Sequence, residues 1–259
     1  MKYLNLFLES WKALNNKKTF AVAGLEFLFF LLIAVNALIS ITFVSEKMDD
    51  LRNFQDEFAV EEGADVGYIY GSLVYLSELL SKIFRTAILF FAVTFVLFGF
   101  FCGIIWKWSA NLVNKKNLLH GYDLKYFLNF YLLSLVWFLI FAAGVYLLYR
   151  YGFSYGIFAA ILFLFFYFVW INLSYFVSDN KVFNSFLRGT RLSITKFYIF
   201  IPCFLIFIIL LAASSYLFGI FENNLVAFFG SFLGIFIFIW LRIFLILTCN
   251  EYTSTRKHS

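Results

Sequence analysis

Proline occurs once and histidine twice in this chain, and only 14% of its 259 residues are charged, against roughly 25% in an ordinary globular domain. Each scarcity excludes something. His120 and His258 lie far apart with no cysteine beside either, so no metal-ligand spacing exists around them. The three cysteines, Cys102, Cys203 and Cys249, are odd in number and share no spacing, which excludes a disulfide framework or a zinc site. Each sits in or at the end of an apolar run, where a free cysteine behaves as a small hydrophobe. There is no HExxH, no GxSxG and no Walker lysine. No residue is therefore assigned a catalytic, metal-binding or cofactor-binding role, and the expectation is a protein that is not an enzyme.

Apolar residues, by contrast, make up 63% of the chain, where a globular domain has roughly 45–50%. Polar side chains are too few to cover a core of that size in water, so lipid is the expected solvent. Phe is abundant, at 40 residues, and Tyr follows at 16. A strongly AT-rich genome would favour Phe and Tyr codons, so the excess needs no functional cause.

Six apolar runs are long enough for a helix to cross a hydrocarbon core of about 30 Å. They are Phe20–Val44, Thr86–Trp106, Phe127–Tyr149, Gly156–Val177, Ile199–Leu217 and Val226–Thr248. None alternates as a barrel strand would. Each backbone amide in lipid must be satisfied within its own segment, so all six are expected to be helices. The first run is too long for the apolar region of a signal peptide, roughly 7–15 residues, and is expected to remain as a span. Pro202 is placed in the first turn of the fifth span, where a missing N–H costs little.

Lys and Arg set the orientation. The tail before the first span carries Lys2, Lys12, Lys17 and Lys18; later segments on the same side carry Lys107, Lys115, Lys116, Lys125, Lys181, Arg188, Arg191, Lys196, Arg256 and Lys257. That is fourteen basic residues, against five on the opposite side. There the longest connection, Ser45–Arg85, has nine acidic residues against four basic ones. The expected topology places both termini in the cytoplasm of a cell membrane, with membrane lipids as partners and Lys12, Lys17, Lys18, Arg188, Arg191 and Lys196 as candidate headgroup contacts. A further protein partner or a second copy of the chain fits this surface; a nucleic acid is not needed to explain it.

The expected fold is all-α: a polytopic bundle of six spans in three hairpins, forming one membrane domain over residues 1–259, each hairpin preceded by an amphipathic helix lying in the interface. The first of these has Tyr3, Leu4, Phe7, Trp11 and Leu14 opposite Lys2, Glu9, Lys12 and Asn16. The last has Val182, Phe183, Phe186, Leu187 and Ile194 opposite Arg188 and Arg191, and the weakest covers Trp108–Leu119. Between the first two spans, Met48, Leu51, Phe54 and Phe58 stand at helical spacing, Gly63, Gly67 and Gly71 break it, and Leu73, Leu76, Leu80 and Ile83 resume it. This segment is expected to form a helix–turn–helix cap outside the membrane, over about 45–85, its acidic face solvated or open to a cation.

Two charged residues fall inside the spans, where charge is costly and so informative. Glu26 lies about 9 Å into the first span and Arg242 about 10 Å into the sixth from the same side. They share a depth and are opposite in sign. Asn172 in the fourth span and Ser134 in the third sit near that level. Three readings stand: Glu26, Asn172 and Arg242 line a polar site; Glu26 and Arg242 neutralise each other; or each snorkels to the interface. Gly99 and Gly103 form a small-xxx-small pair that admits a neighbouring helix, while Asn36, Ser214, Ser215 and Ser231 suit contacts between helices.

The stretch Tyr175–Ile201, YFVSDNKVFNSFLRGTRLSITKFYIFI, resembles a pattern in which a span ends in aromatics, an Asp/Asn turn follows, then an amphipathic helix and another span. It is similar to the YciC-like membrane proteins, the membrane domain attached to some glycerophosphodiester phosphodiesterases, and related uncharacterised archaeal families. Ser185 or Phe186, Arg188, Arg191, Lys196 and Phe197 occupy the matching positions, while the usual Trp and Gly are missing or displaced. The match covers about a tenth of the chain and transfers no catalytic residue. It implies a lipid-interacting or scaffolding bundle. The opening LNLFLESWKALNNKKTF also resembles the start of permeases of ATP-driven exporters, which makes a transport component the alternative and Val182–Ile194 its coupling helix. An intramembrane lipid-modifying enzyme would need paired acids or histidines at one depth, and the spans offer only Glu26.

Overall fold

The computed structural model describes residues 2–60, 66–121, 123–151, 155–219 and 224–255. They form eight helices: α1 (Lys2–Leu14), α2 (Lys17–Val60), α3 (Val66–Val113), α4 (Leu124–Tyr151), α5 (Tyr155–Asp179), α6 (Val182–Thr195), α7 (Phe197–Gly219) and α8 (Asn224–Thr255). Six of them contain a stretch long and apolar enough to cross a bilayer: Lys17–Phe54, Tyr70–Val113, Leu124–Leu148, Gly156–Asp179, Phe197–Tyr216 and Phe232–Tyr252. The chain is an all-helical polytopic membrane protein. It divides into two compact units, Leu28–Phe98 and the remainder.

In the larger unit the breaks between helices have local causes. Asn16 Oδ1 accepts the Lys18 N–H at 3.0 Å and caps α2, and Asp123 Oδ1 accepts the Tyr126 N–H at 2.7 Å and caps α4. Lys115 takes φ 55°, with bonds from Lys115 N to Leu112 O (3.2 Å) and from Lys116 N to Asn111 O (2.8 Å). That is a Schellman closure of α3. Asn180, at φ 53°, closes α5 in the left-handed region that asparagine tolerates. Here the middle amphipathic helix expected over Trp108–Leu119 is corrected: its first half is the end of α3 and its second half is loop. Pro202 also lies deeper than expected. α7 begins at Phe197, so the proline falls beyond the first turn and leaves the Tyr198 carbonyl without its N–H donor.

α8 is the centre of this unit. Two-thirds (67%) of its most apolar window is buried, against 17% for α4 and 22% for α5. Every residue from Ile239 to Ile246 is buried, Arg242 included. α1, α5 and α7 pack on it. Phe7 and Trp11 of α1 meet Trp240, at 5.5 Å edge-to-face and 5.3 Å stacked. Two residues of the apolar face of α1, expected to lie in the interface, thus contact α8, while Trp11 stays partly exposed. α4 joins through the glycine pair of α3: Gly103 lies against Phe127 and Phe130, its carbonyl accepting the Tyr126 hydroxyl at 2.9 Å, and Gly99 lies against Tyr131.

α6 packs on α5 through Ser185, Gly189 and Ser193, spaced four apart on one face. A Cβ on Gly189 would lie 2.7 Å from Asn172 Oδ1 and 3.0 Å from its Cα, so only glycine permits this approach. The Tyr167 hydroxyl donates to Ser193 O at 2.7 Å. The buried face is thus the small polar one. Phe183, Leu187 and Ile194 point outward.

The smaller unit is an antiparallel pairing of the later part of α2 with the earlier part of α3. Phe29 meets Phe98 at 6.4 Å, Asn36 Nδ2 donates to Thr94 Oγ1 at 3.0 Å, and Phe54 meets Tyr75 at 5.5 Å. The cap expected over 45–85 is helical on both arms, and each arm is continuous with its span: both helices run on past the ends of their apolar stretches. No glycine or proline interrupts Ser45–Val60, and Lys47 pairs with Asp50 at 2.8 Å along the helix. Gly67 and Gly71 sit inside α3, since an interior glycine costs about 1 kcal/mol against alanine but does not end a helix. Gly63 and the side chain of Phe58 lie outside the described residues.

Candidate functional site

Glu26 on α2, Arg242 on α8 and Ser109 on α3 converge within the larger unit. Arg242 Nη2 donates to Glu26 Oε1 at 2.7 Å and Nη1 to Glu26 Oε2 at 3.2 Å, so the guanidinium grips both carboxylate oxygens. Nη1 also donates to Ser109 Oγ at 3.3 Å, and the Ser109 hydroxyl donates to Ile105 O at 2.8 Å. Both charged side chains are 4% exposed. The Arg242 Cζ lies 5.2 Å from the Trp106 ring centroid and 5.9 Å from that of Trp170. These rings meet edge-to-face at 5.6 Å, so the cation sits in an aromatic corner.

The physical logic is compensation. An isolated charge in this setting would be costly; a fork-to-fork pair cancels it and meets both oxygens at once. Arginine suits the corner better than lysine because its planar, weakly hydrated cation can stack while it donates. Among the described residues Arg242 Nε has no hydrogen-bond partner. The arrangement fixes α2, α3 and α8 to one another. A carboxylate with both oxygens engaged by one guanidinium is a poor general base.

Asn172 does not join this pair. Its Nδ2 donates to Phe168 O at 2.9 Å and to Thr190 Oγ1 at 3.4 Å on α6, and its Oδ1 has no partner among the described residues. The reason is angular. Trp170, two positions earlier and so about 200° around α5, faces Arg242, which turns Asn172 toward α6. Ser134 is buried with an unpartnered Oγ. Ser109 and the two tryptophans are partners that depth along the helix did not single out. The spacing of Trp106 and Ser109, three apart on one helix face, was the available signal.

The basic candidates separate into two sets. Lys12, Lys17, Arg188 and Arg191 are exposed. Lys18 donates to Lys116 O at 3.3 Å, and Lys196 donates to the Tyr198 hydroxyl at 3.3 Å with its ammonium 5.2 Å from the Tyr252 ring. Asn36 makes its expected interhelical bond, and Ser214 donates to Gly230 O at 3.5 Å; the side chain of Ser231 and His258 lie outside the described residues. Comparison with known proteins gave no match: no family model, no curated protein and no solved structure.

Proposed function

We propose that this chain is a non-enzymatic, lipid-interacting membrane bundle with both termini on the cytoplasmic side, held closed by the Glu26–Arg242 pair. The observation that carries the reading is α6. It spends its small residues on α5 and turns outward Phe183 (75% exposed), Leu187 (50%) and Ile194 (60%), together with Arg188 and Arg191. Apolar and cationic side chains on one open surface suit the boundary between acyl chains and anionic headgroups. The resemblance of Tyr175–Ile201 to YciC-like proteins belongs with the same reading. So does the engagement of Glu26, which leaves that acid unsuited to catalysis.

The test is thermal unfolding of the purified chain in vesicles of phosphatidylcholine alone and with added phosphatidylglycerol. The anionic lipid is expected to raise Tm, and R188Q/R191Q to remove most of that rise without changing Tm in phosphatidylcholine. An equal rise in the variant rejects α6 as the headgroup contact. An ATPase subunit that co-purifies through α6 would replace this reading with the exporter-permease alternative.

A further inference from the structure

A second polar feature lies apart from the ion pair, where the end of α3, the α3–α4 loop and the last turns of α5 and α8 surround a cleft of about 550 Å³. Lys107, Lys116 and His120 line it, with Asn114, Ser178 and Asn250 on the other walls. No carboxylate is among its lining residues. Neither lysine forms an ion pair among the described residues. Asp123 interacts electrostatically with Lys107, but it stands outside the lining and caps α4.

The frame of this cleft is built. Asn111 Nδ2 donates to Leu118 O and to His120 O, both at 2.9 Å, and ties the loop to α3. Gly121, at φ 75°, lets the loop pass beside Lys107: a Cβ there would stand 3.3 Å from its Nζ. The same ammonium lies 4.8 Å from the Tyr126 ring centroid. Across the cleft the Ser178 hydroxyl donates to Asn250 Oδ1 at 2.6 Å, and Asn250 Nδ2 to Asn114 Oδ1 at 3.4 Å.

We propose that this cleft binds a phosphate group, free or carried by a lipid headgroup. Two ammonium groups in a cleft whose lining holds no carboxylate, together with an imidazole and amides, match a compact anion with several acceptor oxygens. Lysine acts here as a point charge and needs no bidentate geometry. The cleft falls within the roughly 300–1,000 Å³ usual for small-ligand sites, so a phosphate with a small attached alcohol fits. The proposal does not depend on α6.

The experiment is thermal unfolding of the full chain in a neutral detergent, titrated with inorganic phosphate and, separately, with dihexanoyl phosphatidate, each against chloride at equal ionic strength. A saturable rise in Tm is expected. K116Q, at an exposed lysine that folding tolerates, should weaken the apparent affinity about tenfold, K107Q at least as much, and R188Q/R191Q not at all. A rise with both probes identifies free phosphate as sufficient; a rise with phosphatidate alone assigns the site to headgroups. No saturable rise with either probe, or an unchanged affinity in K116Q, overturns the proposal. Loss in R188Q/R191Q with retention in K116Q moves the binding to α6 and overturns it equally.

Discussion

At the scale of single residues, the Glu26–Arg242 pair makes asymmetric demands. Removing one partner leaves the other buried and uncompensated, whereas removing both leaves only a packing problem. Glu26→Gln is therefore expected to cost about 3–5 kcal/mol in unfolding free energy, and E26Q/R242M to cost less than Glu26→Gln alone. Chemical unfolding in mixed micelles checks this; a double variant worse than the single one contradicts it. Arg242→Lys keeps the charge but loses the fork and the stacking against Trp106 and Trp170, and should fall between wild type and Glu26→Gln. The pair is legible because an ionisable residue in an apolar run is rare and depth along a helix can be counted. The direction of Asn172 is not, because depth says nothing of azimuth, and the identity of Trp170 as the facing residue requires the packed helices.

At the scale of elements, the crossing of α5 and α6 rests on Gly189. A branched side chain there would meet Asn172 backbone and side chain. Gly189→Val is expected to destabilise by about 1–3 kcal/mol, as overpacking does, and to loosen α6. Gly24→Ala is the control, since a Cβ there meets nothing within 4 Å and alanine favours helix. Limited proteolysis near Lys196 and a thermal melt read both variants; equal behaviour would show that the close approach carries no weight. The helix α6 was legible, but its buried face was not. Phe183, Leu187 and Ile194 dominate any hydropathy pattern, yet in a lipid-solvated protein apolar bulk can face outward while small residues pack inward. α1 does the reverse and sets aromatic side chains inward, Phe7 and Trp11 meeting Trp240 of α8. Helical spacing over Met48–Phe58 and Leu73–Ile83 is legible in the sequence, but its continuity with the spans is not, because polarity reads as a boundary although nothing in Ser45–Val60 stops a helix.

At the scale of the whole molecule, the balance is between apolar excess and the side on which positive charge gathers. The six spans follow from run length alone, and the expected bounds fall within about three residues of the ends of α4, α5 and α7. The proposed orientation rests on fourteen basic residues against five, and it assigns the acids of Ser45–Arg85 to the far side. The most direct measurement is labelling of single cysteines, placed in a cysteine-free background, by a membrane-impermeant maleimide. Asp49→Cys and Arg150→Cys are expected to label in intact cells. Asn16→Cys, Lys116→Cys and Lys181→Cys are expected to label only after permeabilisation. Protection of Asp49→Cys in intact cells, or labelling of Asn16→Cys there, would contradict the six-span arrangement with both termini inside.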